Sequence, residues 1–210
     1  MLFFYVDDNG LGPLHHAIAN NDAEMLKLLI GCGEFDLFER NDAGQSPLVY
    51  AARMAHPGIE CISILVSAIT TFRKHHHDDV LSDHFSNIGA SRRQLIKSLP
   101  LHDEANVRYA LTDAMGRNVI HYAALNNAPH LVHYFATCGA NVNLVDNHGD
   151  APIHLAARGG NVEAVAALIL NNCDMSVRDA SERTAYTVAD LQGYSLVCEL
   201  FNKAQNVSCN

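Results

Sequence analysis

Apolar residues occur along this chain in short runs that alternate with polar stretches containing glycine. Runs rich in Leu, Ile and Val lie at residues 25–30, 131–135 and 165–169. Pairs of alanines lie at residues 51–52, 123–124 and 156–157. Small residues let neighbouring helices approach closely, and stripes of larger apolar residues fill the space between helices. The pattern therefore predicts repeated pairs of helices, the first rich in alanine and the second rich in bulky apolar residues.

The polar stretches recur with a nearly constant period. Asp113, Asp146 and Asp179 follow one another at equal intervals of about 33 residues, and Gly10 and Gly44 are one such interval apart to within a single residue. A period of this length is typical of a solenoid, in which each unit packs only against its neighbours. The phase predicts five units with turns near Gly10, Gly44, Gly116, Gly149 and Glu182.

Three residue types recur at fixed places in these units. Glycine supplies the backbone freedom that a hairpin tip needs. Prolines at positions that begin a helix, where no N–H is required, are Pro13, Pro47 and Pro152. Histidines recur once in each of three units, as His15, His121 and His154. Because successive units hold these histidines too far apart to share a metal ion, we interpret them as structural residues.

The period is interrupted between the second and third units. Gly44 and Gly116 are slightly more than two periods apart, so the chain between them is longer than one unit requires. We place the insertion at about residues 68–103, and we interpret it as a surface excursion because no G-x-x-P-L tract of a further unit occurs within it. Its run of His75, His76 and His77 has metal-binding residue types, although tandem histidines in a polar stretch more often form a solvated segment.

Charge and cysteine content narrow the classes of function. The chain has 14 Lys and Arg against 23 Asp and Glu, a net charge of -9, and so acidic a protein repels the phosphates of nucleic acids. The six cysteines include no CxxC pair, which fits reduced thiols better than a zinc site. No nucleophile–base arrangement or phosphate-binding loop stands out. We therefore predict a protein that is not an enzyme, with no catalytic residue, cofactor or metal.

The repeated unit resembles the ankyrin repeat, whose pattern G-x-[ST]-P-L-H-x-A-A the chain follows in five phased copies. The resemblance implies an all-α ankyrin-repeat solenoid of about five helix–turn–helix units with short β-hairpin loops. It also implies that the recurrent histidine ties hairpin to helix through hydrogen bonds. The expected divisions are the end of a preceding repeat (1–8), repeats at 9–41, 42–112, 113–145 and 146–178, and a capping repeat with a tail at 179–210.

A longer stretch resembles the intracellular ankyrin domain of Notch-family receptors. Residues 44–55 read GQSPLVYAARMA and are followed by Gly58, which is similar to the family's T-P-L-I-L-A-A-R-L-A-x-x-G. Residues 119–124 are similar to its A-L-H-W-A-A segment, and residues 190–201 resemble its closing repeat. The family has about seven repeats and commonly lacks the insertion, so the chain resembles a divergent member.

The Notch resemblance implies a role in transcription and a location in the nucleus after release from a membrane-bound receptor. There the domain would bind a CSL-type DNA-binding factor and, together with it, form a groove for a Mastermind-type coactivator helix. The domain itself would touch DNA only through this partner. The alternative is a generic ankyrin adaptor or inhibitor that masks a signalling or transcription factor.

Partner contacts are expected on the hairpin tips and on the first helices of the units. The candidates on the tips are Asn9, Asp42, Gln45, Met115, Arg117, His148 and Asp150. The candidates on the first helices are Tyr50, Arg53, Met54, Tyr122, Leu125, Asn126, Leu155 and Arg158. For Leu125 and Leu155 the alternative is a place in the core. Aromatic residues, Met and Arg are enriched at interface cores. Arg53 and Arg158 hold the same place after an alanine pair, where each either contacts the partner or braces an acidic tip such as Asp42 or Asp150.

Overall fold

A computed structural model of the protein describes residues 6–54, 59–78 and 112–207. The described residues contain ten helices: α1 (Pro13–Ala19), α2 (Ala23–Gly31), α3 (Pro47–Arg53), α4 (Ile59–Asp78), α5 (Val119–Leu125), α6 (Pro129–Thr137), α7 (Pro152–Gly159), α8 (Val162–Leu170), α9 (Ala185–Leu191) and α10 (Ser195–Val207). In this part of the chain, extended pairing is confined to one isolated bridge between Arg178 and Thr184.

The helices form five pairs, and the pairs stack into a solenoid. Each odd-numbered helix packs against the even-numbered helix that follows it, and the odd-numbered helices also pack in a row from α1 to α9. The predicted fold class, a solenoid of five helix–turn–helix units, is confirmed. The turns that correspond to those at Asp113, Asp146 and Asp179 begin at Asp7 and Asn41 in the first two units. The divisions of the chain at residues 9 and 42 stay predictions.

The first helix of each unit has only seven or eight residues, and α5 and α7 are the most completely buried of them. In α7, which begins at Pro152, the alanines at 156–157 are 0% exposed. Their lack of a side chain beyond Cβ lets α5 and α9 pack closely on either side of α7. The predicted role of the alanine pairs is thereby confirmed.

Each tip is a tight turn built around an Asp or Asn side chain. In the fourth unit, Oδ1 of Asp146 accepts hydrogen bonds from the backbone N–H groups of His148 (2.9 Å) and Asp150 (3.0 Å). The same arrangement is formed by Asp7, Asn41, Asp113 and Asp179. The tips lie at the predicted positions, and their fourth residue has a positive φ in every unit, at Gly10, Gly44, Gly116, Gly149 and Glu182.

The second and third units stack directly despite the interruption between them. The backbone N–H of Ala114 donates to the carbonyl of Ala43 (3.1 Å), a bond that Asn147 and Met115 repeat in the next pair of tips (2.9 Å). The interruption predicted at about 68–103 begins inside α4, which has 20 residues where α2, α6 and α8 have 9. Residues 79–103 of it lie outside the described residues.

Candidate functional site

The tips and the exposed sides of α1, α3, α5, α7 and α9 form one continuous surface, which we call the inner face. The predicted contact residues that are exposed on it are Asn9, Asp42, Met115, Leu125, Arg53 and His148. Those that are half-buried are Tyr50, Met54, Arg117, Asn126 and Arg158. Met115 and Leu125 are exposed apolar side chains, at 40% and 39% of their full accessible surface. The inner face therefore offers both charged and apolar groups.

Gln45, Tyr122, Asp150 and Leu155 are buried, which corrects the expectation that the first three are open to a partner and, for Leu155, selects the alternative of a core residue. Their exposed fractions are 2%, 7%, 5% and 3%. Nε2 of Gln45 donates to the hydroxyl of Tyr122 (3.3 Å), and that hydroxyl donates to Oδ2 of Asp113. Gln45 and Tyr122 thus join the second unit to the third. A sequence signal for this role exists, because the second unit has Val49 at the place of the recurrent histidine.

The recurrent histidines join each of three units to the next one. Nε2 of His121 lies 3.2 Å from the carbonyl oxygen of Asp150. The backbone N–H of Asn118 donates to Nδ1 of His121 (3.1 Å). An Nδ1 that accepts leaves the proton on Nε2, which therefore donates to the tip carbonyl of the following unit. The equivalent distances from His15 to Gln45 and from His154 to Arg183 are 3.1 and 3.2 Å. The predicted bond between hairpin and helix is confirmed, and it crosses between units.

Arginines on the inner face pair with carboxylates at the bases of the tips. Nη1 and Nη2 of Arg158 lie 2.7 and 2.8 Å from the two carboxylate oxygens of Asp150. Nε of Arg117 donates to Oδ2 of Asp146 (2.9 Å). The bracing role that was one alternative for Arg158 is therefore present in the structure. Asp150 is the acidic tip residue that the sequence offered as a brace for Arg158, whereas Asp146 was predicted only as the start of a repeat.

The fifth unit has a further pair, formed within its own tip. Nε and Nη2 of Arg183 donate to Oδ2 of Asp179 (2.9 and 2.7 Å). Burial acts to raise the pKa of Asp179, but the bonds from Arg183 and from the backbone outweigh it and lower the pKa to about 2. An Arg four residues after the tip Asp was the available sequence signal for this pair.

Arg53 differs from the other three arginines of the inner face. Its Nη1 donates to the neutral Oε1 of Gln45 (3.2 Å). Unlike Arg117, Arg158 and Arg183, it has no ion pair with any carboxylate of the described residues. The carbonyl of Arg53 accepts from Nδ2 of Asn126 (3.1 Å), which also reaches the carbonyl of Met54 (3.3 Å). Asn126 thus caps the end of α3 and fixes the backbone on which Arg53 stands.

Within the described residues no group of three His, Cys, Asp or Glu side chains is placed to hold a metal ion. The side chains of His75, His76 and His77 lie outside the described set. Among the described helices, none combines the length and the hydrophobicity that a membrane span requires.

The chain matches the family model described as ankyrin repeats (3 copies) at residues 3–75 and 88–210. The gap between the two matched segments, residues 76–87, lies within the interruption predicted at 68–103. A solved ankyrin repeat protein, EF0377, superposes with a TM-score of 0.68 at 21% identity, covering 96% of this chain and 85% of that one. At this identity the structural likeness concerns the fold alone.

Curated relatives with different names share the repeat. Protein phosphatase 1 regulatory subunit 12A of Rattus norvegicus is 33% identical over 49% of this chain. Putative palmitoyltransferase ZDHHC13 of Danio rerio is 23% identical over 97% of the chain, and the Notch-like protein glp-1 of Caenorhabditis elegans is 25% identical over 84%. The chain spans only 10%, 31% and 12% of the lengths of these three relatives.

Proposed function

This chain belongs to the ankyrin-repeat family, whose fold is a non-enzymatic scaffold for protein–protein interaction, and we propose that its inner face binds a transcription factor. The observation that supports this most is a stacked row of tips and first helices on which Arg53, Met115 and Leu125 are exposed together with polar groups. Arg and large apolar residues on a rigid scaffold bind with little loss of side-chain entropy.

The finer proposal is that the chain is the ankyrin domain of a Notch-type receptor. Its partner is then a CSL-type DNA-binding factor, and the two together bind a Mastermind-type coactivator in the nucleus. Support comes from the Notch-type sequence around residues 44–58 and from the similarity to glp-1, which extends over 84% of the chain. The alternative remains a generic ankyrin adaptor or inhibitor, which the similarity to proteins of other names favours equally.

Isothermal titration of the purified chain with a purified CSL-type factor tests the finer proposal. We expect direct binding, and a ternary complex when a Mastermind-type helix is added. Arg53→Glu is expected to weaken binding, whereas Lys203→Glu, a charge reversal on the exposed side of α10, should not.

Absence of binding to the CSL-type factor would contradict the Notch-type proposal, and the generic ankyrin adaptor or inhibitor would then be the remaining proposal. The adaptor then requires a partner that is identified by affinity capture and shown to bind directly after purification. A tagged chain that remains in the cytoplasm after release from its receptor would contradict the nuclear part of the proposal.

A further inference from the structure

Arg53 and Arg158 occupy equivalent places in the second and fourth units, yet their electrostatic surroundings differ. Each stands eight residues after the fifth residue of its tip, which is Gln45 in one unit and Asp150 in the other. In the fourth unit Arg158 also lies near the first tip residue of the following unit, Asp179, and the residue of the third unit that corresponds to Asp179 is Asp113. The two units therefore form an internal comparison within one chain.

In the fourth unit the positive charge of Arg158 is neutralised. The guanidinium of Arg158 donates two short hydrogen bonds to Asp150, and a carboxylate oxygen of Asp179 lies 3.9 Å from Nη2 of Arg158. Bidentate pairing of this kind satisfies both the charge and the geometry of an arginine. Little of Arg158 is left to bind a carboxylate from another protein.

In the second unit neither of the two corresponding residues pairs with Arg53 as a carboxylate. Gln45 stands in place of Asp150 and offers one neutral oxygen at 3.2 Å from Nη1. The hydroxyl of Tyr122 binds Oδ2 of Asp113, the carboxylate that corresponds to Asp179. Gln45 is itself 2% exposed and is held by Asn41 and Tyr122. A buried side chain thus orients Arg53 without neutralising it.

Apolar groups lie next to this cation. Met54 follows it in the chain and is half-buried, and Leu125, at the equivalent place in the third unit, is 39% exposed. The helices α3 and α5 that carry Arg53 and Leu125 pack together, and Asn126 bonds the end of one helix to the other. The cation and the apolar side chain are therefore held on one rigid surface, about one helix-packing distance of 8–10 Å apart.

We propose that Arg53, Met54 and Leu125 form a docking site for an acidic peptide segment of a partner protein, with a carboxylate on Arg53 and an apolar residue on Leu125 and Met54. The proposal rests on the inner face being the partner-binding surface, and it names the chemistry that this surface recognises. Four of the five guanidinium N–H donors of Arg53 have no bond to the described residues, which is enough for a bidentate carboxylate.

Selection of random peptides displayed on phage against the folded chain tests this site, because the method does not require the natural ligand to be known. We expect the selected peptides to be enriched in Asp or Glu close to Leu, Ile or Phe relative to the unselected library. Affinities of the labelled peptides for the chain and its variants are then measured by fluorescence anisotropy. Selected sequences without acidic enrichment, or no selected sequences at all, would overturn the proposal.

Two variants change Arg53 in different ways. Arg53→Glu reverses the charge, and Gln45→Asp places in the second unit the carboxylate that neutralises Arg158 in the fourth. Each is expected to weaken peptide binding by about tenfold or more, while Lys203→Glu leaves it within about twofold. Thermal midpoints of all variants separate lost binding from lost folding. Unchanged peptide affinity in both folded Arg53→Glu and Gln45→Asp would also overturn the site.

The site and the proposed function fail separately. Equal binding of a CSL-type factor to the wild-type chain and to Arg53→Glu would support the proposed function and contradict this docking site. If the chain does not bind a CSL-type factor but binds acidic peptides only when Arg53 is present, the docking site is supported and the alternative of a generic ankyrin adaptor is favoured.

Discussion

At the scale of single residues, burial decides the protonation state of His121. Burial lowers the pKa of this imidazole from 6.5 to about 4, against the opposing effect of the Asp150 carbonyl. Between these pH values the unfolded chain binds a proton that the folded chain does not, so the unfolding free energy falls as the pH drops from 6.5 towards 4. We expect a loss of up to about 3 kcal/mol from this residue, measured by urea unfolding at several pH values.

A substitution shows whether His121 causes that slope. His121→Gln should lower stability at neutral pH and flatten the dependence between pH 6.5 and 4. The matched control is His148→Gln, since His148 is exposed on a tip. Equal pH slopes in wild type and His121→Gln would show that the histidine does not carry the effect.

Charge reversal at the two equivalent arginines is expected to have different effects on stability. Arg158→Glu leaves Asp150, which is 5% exposed, without its cation and adds a third carboxylate near Asp179. We expect it to lower the unfolding free energy by more than about 2 kcal/mol, because an unpaired buried charge is costly. Arg53→Glu should change it by about 0.5 kcal/mol or less. Equal losses of unfolding free energy in Arg158→Glu and Arg53→Glu, measured by chemical denaturation, would contradict the difference in ion pairing between the two arginines.

At the scale of the structural element, each tip glycine is required by the tip of the next unit. Gly149 has a φ of +78°, and a Cβ there would lie 2.8 Å from the backbone nitrogen of Ala180. The last unit has Glu182 at this place with a φ of +60°. A side chain is tolerated there because this is the last tip of the described stack.

Substitution at these two tips tests the explanation. Gly149→Ala should destabilise the protein by about 2 kcal/mol or more, through both the strained φ and the clash. Glu182→Gly should be neutral or stabilise by up to about 1 kcal/mol, since glycine relieves the left-handed conformation. Thermal midpoints of the two variants check the contrast, and a stable Gly149→Ala would refute it.

At the scale of the whole molecule, the stack is continuous across the interruption of the repeat. The tips of the second and third units bond directly, and α3 packs on α5 in the same way that α5 packs on α7. Replacing residues 79–103 by a short Gly–Ser linker should therefore lower the unfolding free energy by less than about 2 kcal/mol, because closing a long loop costs little entropy. Urea denaturation of the shortened chain measures this, and a much larger loss would show that the segment contributes to the core.

The sequence predicted much of this architecture because each unit contacts only its neighbours. A local pattern of glycine, proline and paired alanine was therefore enough to predict five helix pairs and the positions of their tips. The candidate site was predicted less well. Arg53 and Arg158 follow the same Ala-Ala pair, and nothing adjacent to them in the sequence shows that only one has a bidentate carboxylate.

The sequence by itself determined the repeat, the helices and the turns, since these follow from backbone preferences and from the periodic burial of apolar residues. Only the tertiary structure decided which polar residues remain available to a partner. Gln45, Tyr122 and Asp113 come from tips and helices of two units, separated in the chain by 77 residues between Gln45 and Tyr122. Their hydrogen bonds form only when the units stack, and it is this stacking that buries Gln45 and leaves Arg53 exposed without a carboxylate partner among the described residues.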